Sequence, residues 1–313
     1  MFEKVNAGHP DKMADRLAGA VVDLVYERAG GLTKANPRVA CEVMAGHGRV
    51  DVQIETSLGR LDLRADDIDP LIHRLFGERV EGNVLIAPQD PHLSDNQSRG
   101  LRCGDNGIFK GVPPTYEQKV LTALAATMYE NIPYDGKYII NRKFWEEDPD
   151  YVSYGVTVCQ SHATQQEICM LLSAFEKSQF DAKGIFCPID EYIINPLGPW
   201  TGGINVDCGC TNRKLGSDMG DGVTGGGLMG KDLSKADVSV NIVCYLKAVA
   251  SGQVVTAICS IGDESVTFVY ADGRTETETF ADVVEQARLY ILTDCGGSFE
   301  KFAEWGLIRP KDL

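Results

Sequence analysis

At 313 residues, with 43% hydrophobic and 24% charged residues, the chain is long enough to bury a sizeable core and to divide into two or three domains. A formal net charge of −15 repels nucleic acid and anionic lipid surfaces, so neither is an expected partner. No stretch approaches the roughly 18 consecutive apolar residues of a membrane span, and Met1-Phe2-Glu3-Lys4 leads into charged sequence without a signal-peptide core. The expectation is a cytoplasmic protein that does not engage a membrane.

Pro10 in a first turn, a face of Met13, Leu17, Ala20, Val21, Leu24 and Val25, and a stop at Gly30-Gly31 predict a helix over about 10–29. Two alternating runs, Val39/Cys41/Val43 and Val50/Val52/Ile54, predict a hairpin turning at Gly46-His47-Gly48, with Glu42, Asp51, Gln53 and Glu55 on its other face. Residues 86–116 are polar, rich in Pro, Gly, Asp and Asn, and read as a long surface loop. Helices are expected over 117–130 and 164–176, and strands at about 151–160, 191–195 and 253–261. Ten of the chain's 33 glycines fall within 201–230, followed by a helix in which Val238, Ile242, Leu246 and Val249 share a face. Strand pairs alternating with helices indicate an α+β chain. Its sequence blocks are 1–100, 113–200 and 201–313.

Ten cysteines are scattered singly through apolar segments, as at Cys41, Cys159, Cys169, Cys244 and Cys259, and read as reduced, buried thiols. Cys208 and Cys210 lack the second pair or histidine that a zinc site needs.

Gly8-His9-Pro10-Asp11-Lys12 opens the first helix, where free N–H groups and the helix dipole favour an anion; His9 and Lys12 can touch phosphate and Asp11 can hold a hard cation. The plainer reading is that His9 or Asp11 caps the helix. Cys103-Gly104-Asp105-Asn106-Gly107 by itself is a turn, and Asp135-Gly136-Lys137 by itself is a hairpin turn with a solvated lysine. Asp207-Cys208-Gly209-Cys210-Thr211-Asn212-Arg213-Lys214, the glycine tract, and Gly230-Lys231-Asp232-Leu233-Ser234-Lys235-Ala236-Asp237 form the densest group. Four cations in an acidic protein need a counter-charge, and glycines let backbone approach phosphate oxygens, so a polyphosphate fits; a flexible linker with solvated lysines is the alternative. Gly225–Lys231 mimics a P-loop, but Asp232 replaces the Ser or Thr that binds magnesium and no apolar strand precedes it. Gly220, Gly222 and Gly225 mimic a dinucleotide fingerprint with the same missing strand.

Read in order, these segments resemble the S-adenosylmethionine synthetases, or methionine adenosyltransferases. The matching pieces are GHPDK (8–12), RVACE (38–42), GDNG (104–107), DGK (135–137), INP (194–196), DCGCTNRK (207–214) and GGG with GKDLSKAD (225–237). They cover the chain from about Glu3 to Gly262. The resemblance implies an α+β fold of three similar, interleaved α/β-layer domains in a pseudo-threefold arrangement. It also implies a homodimer with active sites between subunits, two Mg2+ and a K+ per site, and the substrates ATP and L-methionine. By motif, His9, Lys137, Arg213, Lys214, Lys231 and Lys235 would surround the triphosphate, Asp11 and Asp237 would hold magnesium, and Glu42 would serve potassium. Gln89 and Asp105 would lie on the methionine side, Glu3 and Asp207 near the adenosine, and Asp135 of DGK joins the binding residues.

The chain departs from the family at Gln53, where a glutamate usually holds the methionine ammonium. Glu55 shares the strand face and can supply the carboxylate. Val238 stands where an arginine is usual, and the polar loop and C-terminal segment are shorter than in typical members. Beside the active transferase stand two other readings: a catalytically inert, nucleotide-binding regulatory or scaffold subunit, and an unrelated P-loop phosphotransferase.

Overall fold

The computed structural model describes residues 1–59, 61–92, 100–144, 152–183 and 189–310. It is a mixed α/β structure built on three four-stranded sheets. In the first sheet, β2 (Val39–Gly46) and β3 (Arg49–Thr56) form the expected hairpin. Its turn takes His47 (φ 50°) and Gly48 (φ 81°), both left-handed, the pair of conformations that matches the twist of two-residue hairpins. β4 (Glu81–Pro88) runs parallel to β3, and the two-residue β9 (Gly209–Cys210) closes the other edge against β2. Helices α1 (Pro10–Arg28) and α2 (Ala65–Phe76) belong to this layer.

The second sheet has the order β1 (Phe2–Val5), β6 (Gly136–Phe144), β7 (Val152–Gln160), β8 (Ile189–Ile194), and is accompanied by α3 (Tyr116–Asn131) and α4 (Gln165–Lys183). The third has the order β12 (Thr275–Thr279), β11 (Ser265–Tyr270), β10 (Val255–Cys259), β5 (Gly107–Gly111), with α6 (Ala236–Ser251) and α7 (Phe280–Asp294). A short helix α5 (Leu215–Met219) follows β9, and α8 (Phe299–Trp305) returns to α1. There Tyr26 stacks on Phe299 at 5.3 Å. A Cβ on Gly19 would stand 2.6 Å from the Phe299 carbonyl oxygen, so the close approach of the two helices requires glycine.

Each sheet borrows a strand from a distant part of the chain: β9 for the first, β1 for the second, β5 for the third. Buried apolar side chains form two continuous clusters, one shared by the first and third sheets and one belonging to the second. Among the described residues, no helix is long and apolar enough to cross a membrane.

Several local expectations change. β5 lies inside the stretch read as a loop, because Phe109 is 1% exposed while both strand ends are glycines that mask the alternation. Residues 93–99 of that stretch lie outside the described residues. Asp135-Gly136-Lys137 is not a hairpin turn, since Gly136 begins β6 and Asp135 is buried. The 201–230 segment is not a flexible linker: it holds β9, α5 and buried Thr211, Ser217, Asp218, Leu228 and Met229. On α6, Val238 and Ile242 are fully buried and Leu246 is half-buried, but Val249 near the free end is 49% exposed. Cys41, Cys244 and Cys259 are buried free thiols as expected; Cys159 is half-buried and Cys169 exposed.

Candidate active site

Three chain segments converge at the start of α1. Asn6 joins two of them: its carbonyl oxygen Oδ1 accepts from Gly8 N (3.0 Å) and Gly136 N (3.2 Å), while its amide donates to Tyr134 O (2.9 Å). The GHPDK and DGK motifs are thereby fixed to one another. Gly8 and Gly209 complete the approach, since a Cβ at either would lie 2.8 Å from the Tyr134 carbonyl or 2.1 Å from the Pro10 carbonyl oxygen. Asn6 lies outside the sequence motifs, and nothing in its neighbourhood marks it before the fold is known.

His9 is the N-cap of α1, and its Nδ1 accepts from Asp11 N at 3.1 Å. The ring proton therefore sits on Nε2, which is buried without a partner among the described residues. Burial first, then the charges of Lys137 and Lys214, lowers the imidazole pKa to about 3, so His9 is neutral and its 3.8 Å approach to Asp11 is no ion pair at neutral pH. The capping reading and the anion-site reading are thus compatible: one ring nitrogen caps, and the other is left as a donor.

Around His9, Asp11 Oδ1 accepts from Cys210 N (2.9 Å) and faces Arg213 at 3.6 Å. Lys137 pairs with Asp207 at 3.3 Å, and Lys214 with Glu3 at 3.1 Å. Partial burial opposes the Asp207 charge, but the hydrogen bond and charge of Lys137 outweigh it and hold the carboxyl below the usual range. Asp135 is 2% exposed, and burial raises its pKa to about 6 against the hydrogen bond from Gly203 N. Lys12 does not share this surface. It is fully buried against Asp218 and Asp15, so the phosphate contact expected of it is not available.

The same 209–214 segment reaches a second group of residues. The Thr211 hydroxyl donates to Glu42, and Asn212 binds Met229 in both directions at 2.8 and 3.2 Å, folding the glycine tract back on itself. Gly230 (φ 78°) lies so close to β2 that a Cβ would stand 2.2 Å from the Cys41 carbonyl oxygen. Lys231 then pairs with Asp237 at 2.7 Å, and Lys235 stands at the N-cap position of α6 without a side-chain capping bond. Gln53 and Glu55 share the exposed face of β3, with Gln53 opposite Glu42. Gln89 follows β4 and is 9% exposed. Asp105 sits apart, in an exposed bend before β5 of the third sheet.

A cavity of about 300 Å3 opens beside Lys137 and Trp200, and another of about 330 Å3 between Glu3, Arg213, Lys214 and Gly220. Among the described residues, no group of three or more His, Cys, Asp and Glu side chains could hold a metal ion. Asp11 and Asp237 are single carboxylates, each beside a cation. That donor set fits Mg2+, which keeps most of its waters and is held by one or two carboxylates together with substrate phosphates.

Fold and site together define a mixed α/β protein in which close glycine contacts bring cations of separate segments near the start of α1. No family model matches the chain. It is similar to proteins named S-adenosylmethionine synthase: 27% identical over 294 residues to that of Acidiphilium cryptum, covering 80% of this chain and 72% of the relative. Against the Helicobacter pylori protein identity is 25%, over 99% of this chain and 88% of the relative, and against that of Parvibaculum lavamentivorans 28%, over 76% and 68%. Several such proteins match the chain over most of its length, in agreement with the ordered motifs.

Proposed function

We propose that this protein is an S-adenosylmethionine synthase: it transfers the adenosyl group of ATP to the sulfur of L-methionine and hydrolyses the released triphosphate to pyrophosphate and phosphate. The observation that carries this reading is the convergence of His9, Asp11, Lys137, Arg213 and Lys214, from three separate segments, around one buried neutral imidazole.

A thioether sulfur carries no proton, so its attack on the ribose C5′ needs no general base. The barrier lies in alignment and in charge accumulating on the departing triphosphate. His9 Nε2–H donates to a phosphoryl oxygen, and Lys137, Arg213 and Lys214 neutralise charge as the C5′–O bond breaks. Lys231 and Lys235 supply the other bank of the cradle. Asp11 and Asp237 would hold Mg2+ and Glu42 would serve K+; when bound, the magnesium ions add charge along the triphosphate and orient water for its hydrolysis. Glu3, Asp135 and Asp207 belong to the adenosine side, and Gln89, Asp105 and Glu55, in place of Gln53, to the methionine side.

The site is completed by a second copy in a cytoplasmic homodimer. The open sheet faces support this, for Met44, Leu85, Ile108 and Ile258 are 58–69% exposed on strands that a partner would cover. The test is incubation of purified protein with ATP, methionine, Mg2+ and K+, following S-adenosylmethionine by mass spectrometry and phosphate by colour assay. Methionine-dependent product with both pyrophosphate and phosphate is expected. ATP binding without product would instead favour the inert regulatory or scaffold subunit.

A further inference from the structure

Lys137 is bracketed by two groups from one short segment. Its ammonium lies 5.8 Å from the Trp200 ring centroid and 3.3 Å from the Asp207 carboxylate. What fixes residues 200–207 therefore fixes Lys137. The segment is pinned near its middle. Gly203 N donates to Asp135 Oδ2 at 3.0 Å, and the Gly203 carbonyl accepts from Val206 N (3.0 Å) and Asp207 N (3.1 Å), turning the chain into Asp207. The Asp135 carbonyl in turn accepts from Ser161 N (2.9 Å) and Ser161 Oγ (2.8 Å), while His162 N donates to Trp200 O at 3.4 Å. Gly202 (φ 62°) is wedged between them: a Cβ there would stand 2.8 Å from the Cβ atoms of both Asp135 and Ser161.

We infer that Asp135, besides its place on the adenosine side, is a positioning residue which, with Ser161 and Gly202, clasps residues 200–207 so that Trp200 and Asp207 hold the Lys137 ammonium in place. The inference rests on the synthase reading for the meaning of Lys137, but the clasp itself is geometric. The clasp requires a hydrogen-bond acceptor facing Gly203 N and room for the Gly202 backbone, and tripolyphosphate, which carries no adenosine, reads it apart from any contact Asp135 makes on the adenosine side.

Three variants separate these possibilities. Asp135→Ala removes the acceptor, Gly202→Ala wedges the segment away without altering Asp135, and Asp135→Asn keeps an acceptor while removing the charge. Two readouts are needed: hydrogen exchange of the 200–207 amides, and calorimetric binding of inorganic tripolyphosphate to the full chain. We expect Asp135→Ala and Gly202→Ala to speed exchange of that segment and to weaken tripolyphosphate binding, each roughly 5- to 30-fold, with Asp135→Asn close to the unaltered protein. If Asp135→Ala fails to fold, Gly202→Ala and Asp135→Asn still decide. Unchanged exchange in Gly202→Ala overturns the clasp, and Asp135→Asn as defective as Asp135→Ala shows that the charge is what matters and overturns the positioning role. An unaltered protein that binds tripolyphosphate yet makes no S-adenosylmethionine would sink the synthase reading, while the exchange and binding comparison still decides the clasp.

Discussion

Lys12 and Asp218 stand 206 positions apart, yet the Lys12 ammonium lies 2.7 Å from both carboxylate oxygens of Asp218, in a place neither shares with solvent. Asp15 adds a second carboxylate at 3.1 Å. The pair ties α1 to α5, and removing one member would strand a buried charge. Lys12→Ala should therefore cost about 3–5 kcal/mol of stability in urea unfolding. A loss under about 1 kcal/mol would mean that water or a rearranged carboxylate takes the lysine's place.

His9 and Lys137 should matter to catalysis far more than to folding. Lys137 is partly exposed, and His9→Ala loses one helix cap, worth about 1 kcal/mol. Each removes a donor or cation from the departing triphosphate, an effect typically worth about 10²- to 10³-fold in kcat. Steady-state rates with either alanine variant would test this, and near-normal turnover with an unchanged melting temperature would contradict the role assignment.

Gln53 and Glu55 both point to the open side of β3, two residues apart on one face. If Glu55 supplies the carboxylate for the methionine ammonium, Glu55→Gln should raise the methionine KM by about tenfold or more, with the ATP KM little changed, as expected when one charge-assisted hydrogen bond is lost. An unchanged methionine KM would show that Glu55 does not compensate for Gln53.

Asp135 gives a pH signature of known sign. Its carboxyl rises from the ordinary 3.8 to about 6 in the folded protein, chiefly through burial. Between those values the folded state binds more protons than the unfolded one, so the contribution of Asp135 is fully present below about pH 4 and is lost as pH rises through about 6. Asp135→Asn removes this dependence. Relative to the unaltered protein its stability in urea unfolding should rise between about pH 4 and 6 and then level off, by at most about 3 kcal/mol. A stability difference that stays flat with pH would show that the carboxyl titrates normally.

Much of the local structure was legible. Pro10, the apolar face of α1 and the Gly30-Gly31 stop define the first helix to within a residue, and the β2–β3 hairpin follows from strict alternation around a turn of suitable residues. The motif cations were legible because so many positive charges in a chain of net charge −15 require an anion. β5 was hidden because glycines at both ends erase the pattern of a short strand, and they are there for contact: a Cβ on Gly111 would lie 2.0 Å from the Cys244 carbonyl oxygen. The burial of Lys12 was illegible for a different reason, since its partner is supplied by a helix far along the chain.

By itself, then, the sequence determined the element types along most of the chain, the acidic character of the protein and the inventory of cations, glycines and carboxylates that could serve a polyphosphate. Those properties are set by nearest neighbours and by composition, which need no fold to be read. Tertiary structure alone decided which members of that inventory meet. It brought β1 to β6 and β9 to β2, left His9 neutral with one ring nitrogen capping and the other without a partner among the described residues, turned Lys12 inward and Lys137 outward, and set Asp135 against Gly203. The physical reason is that desolvation and Coulomb interactions depend on distance in space and on depth below the surface, and neither quantity is carried by spacing along the chain.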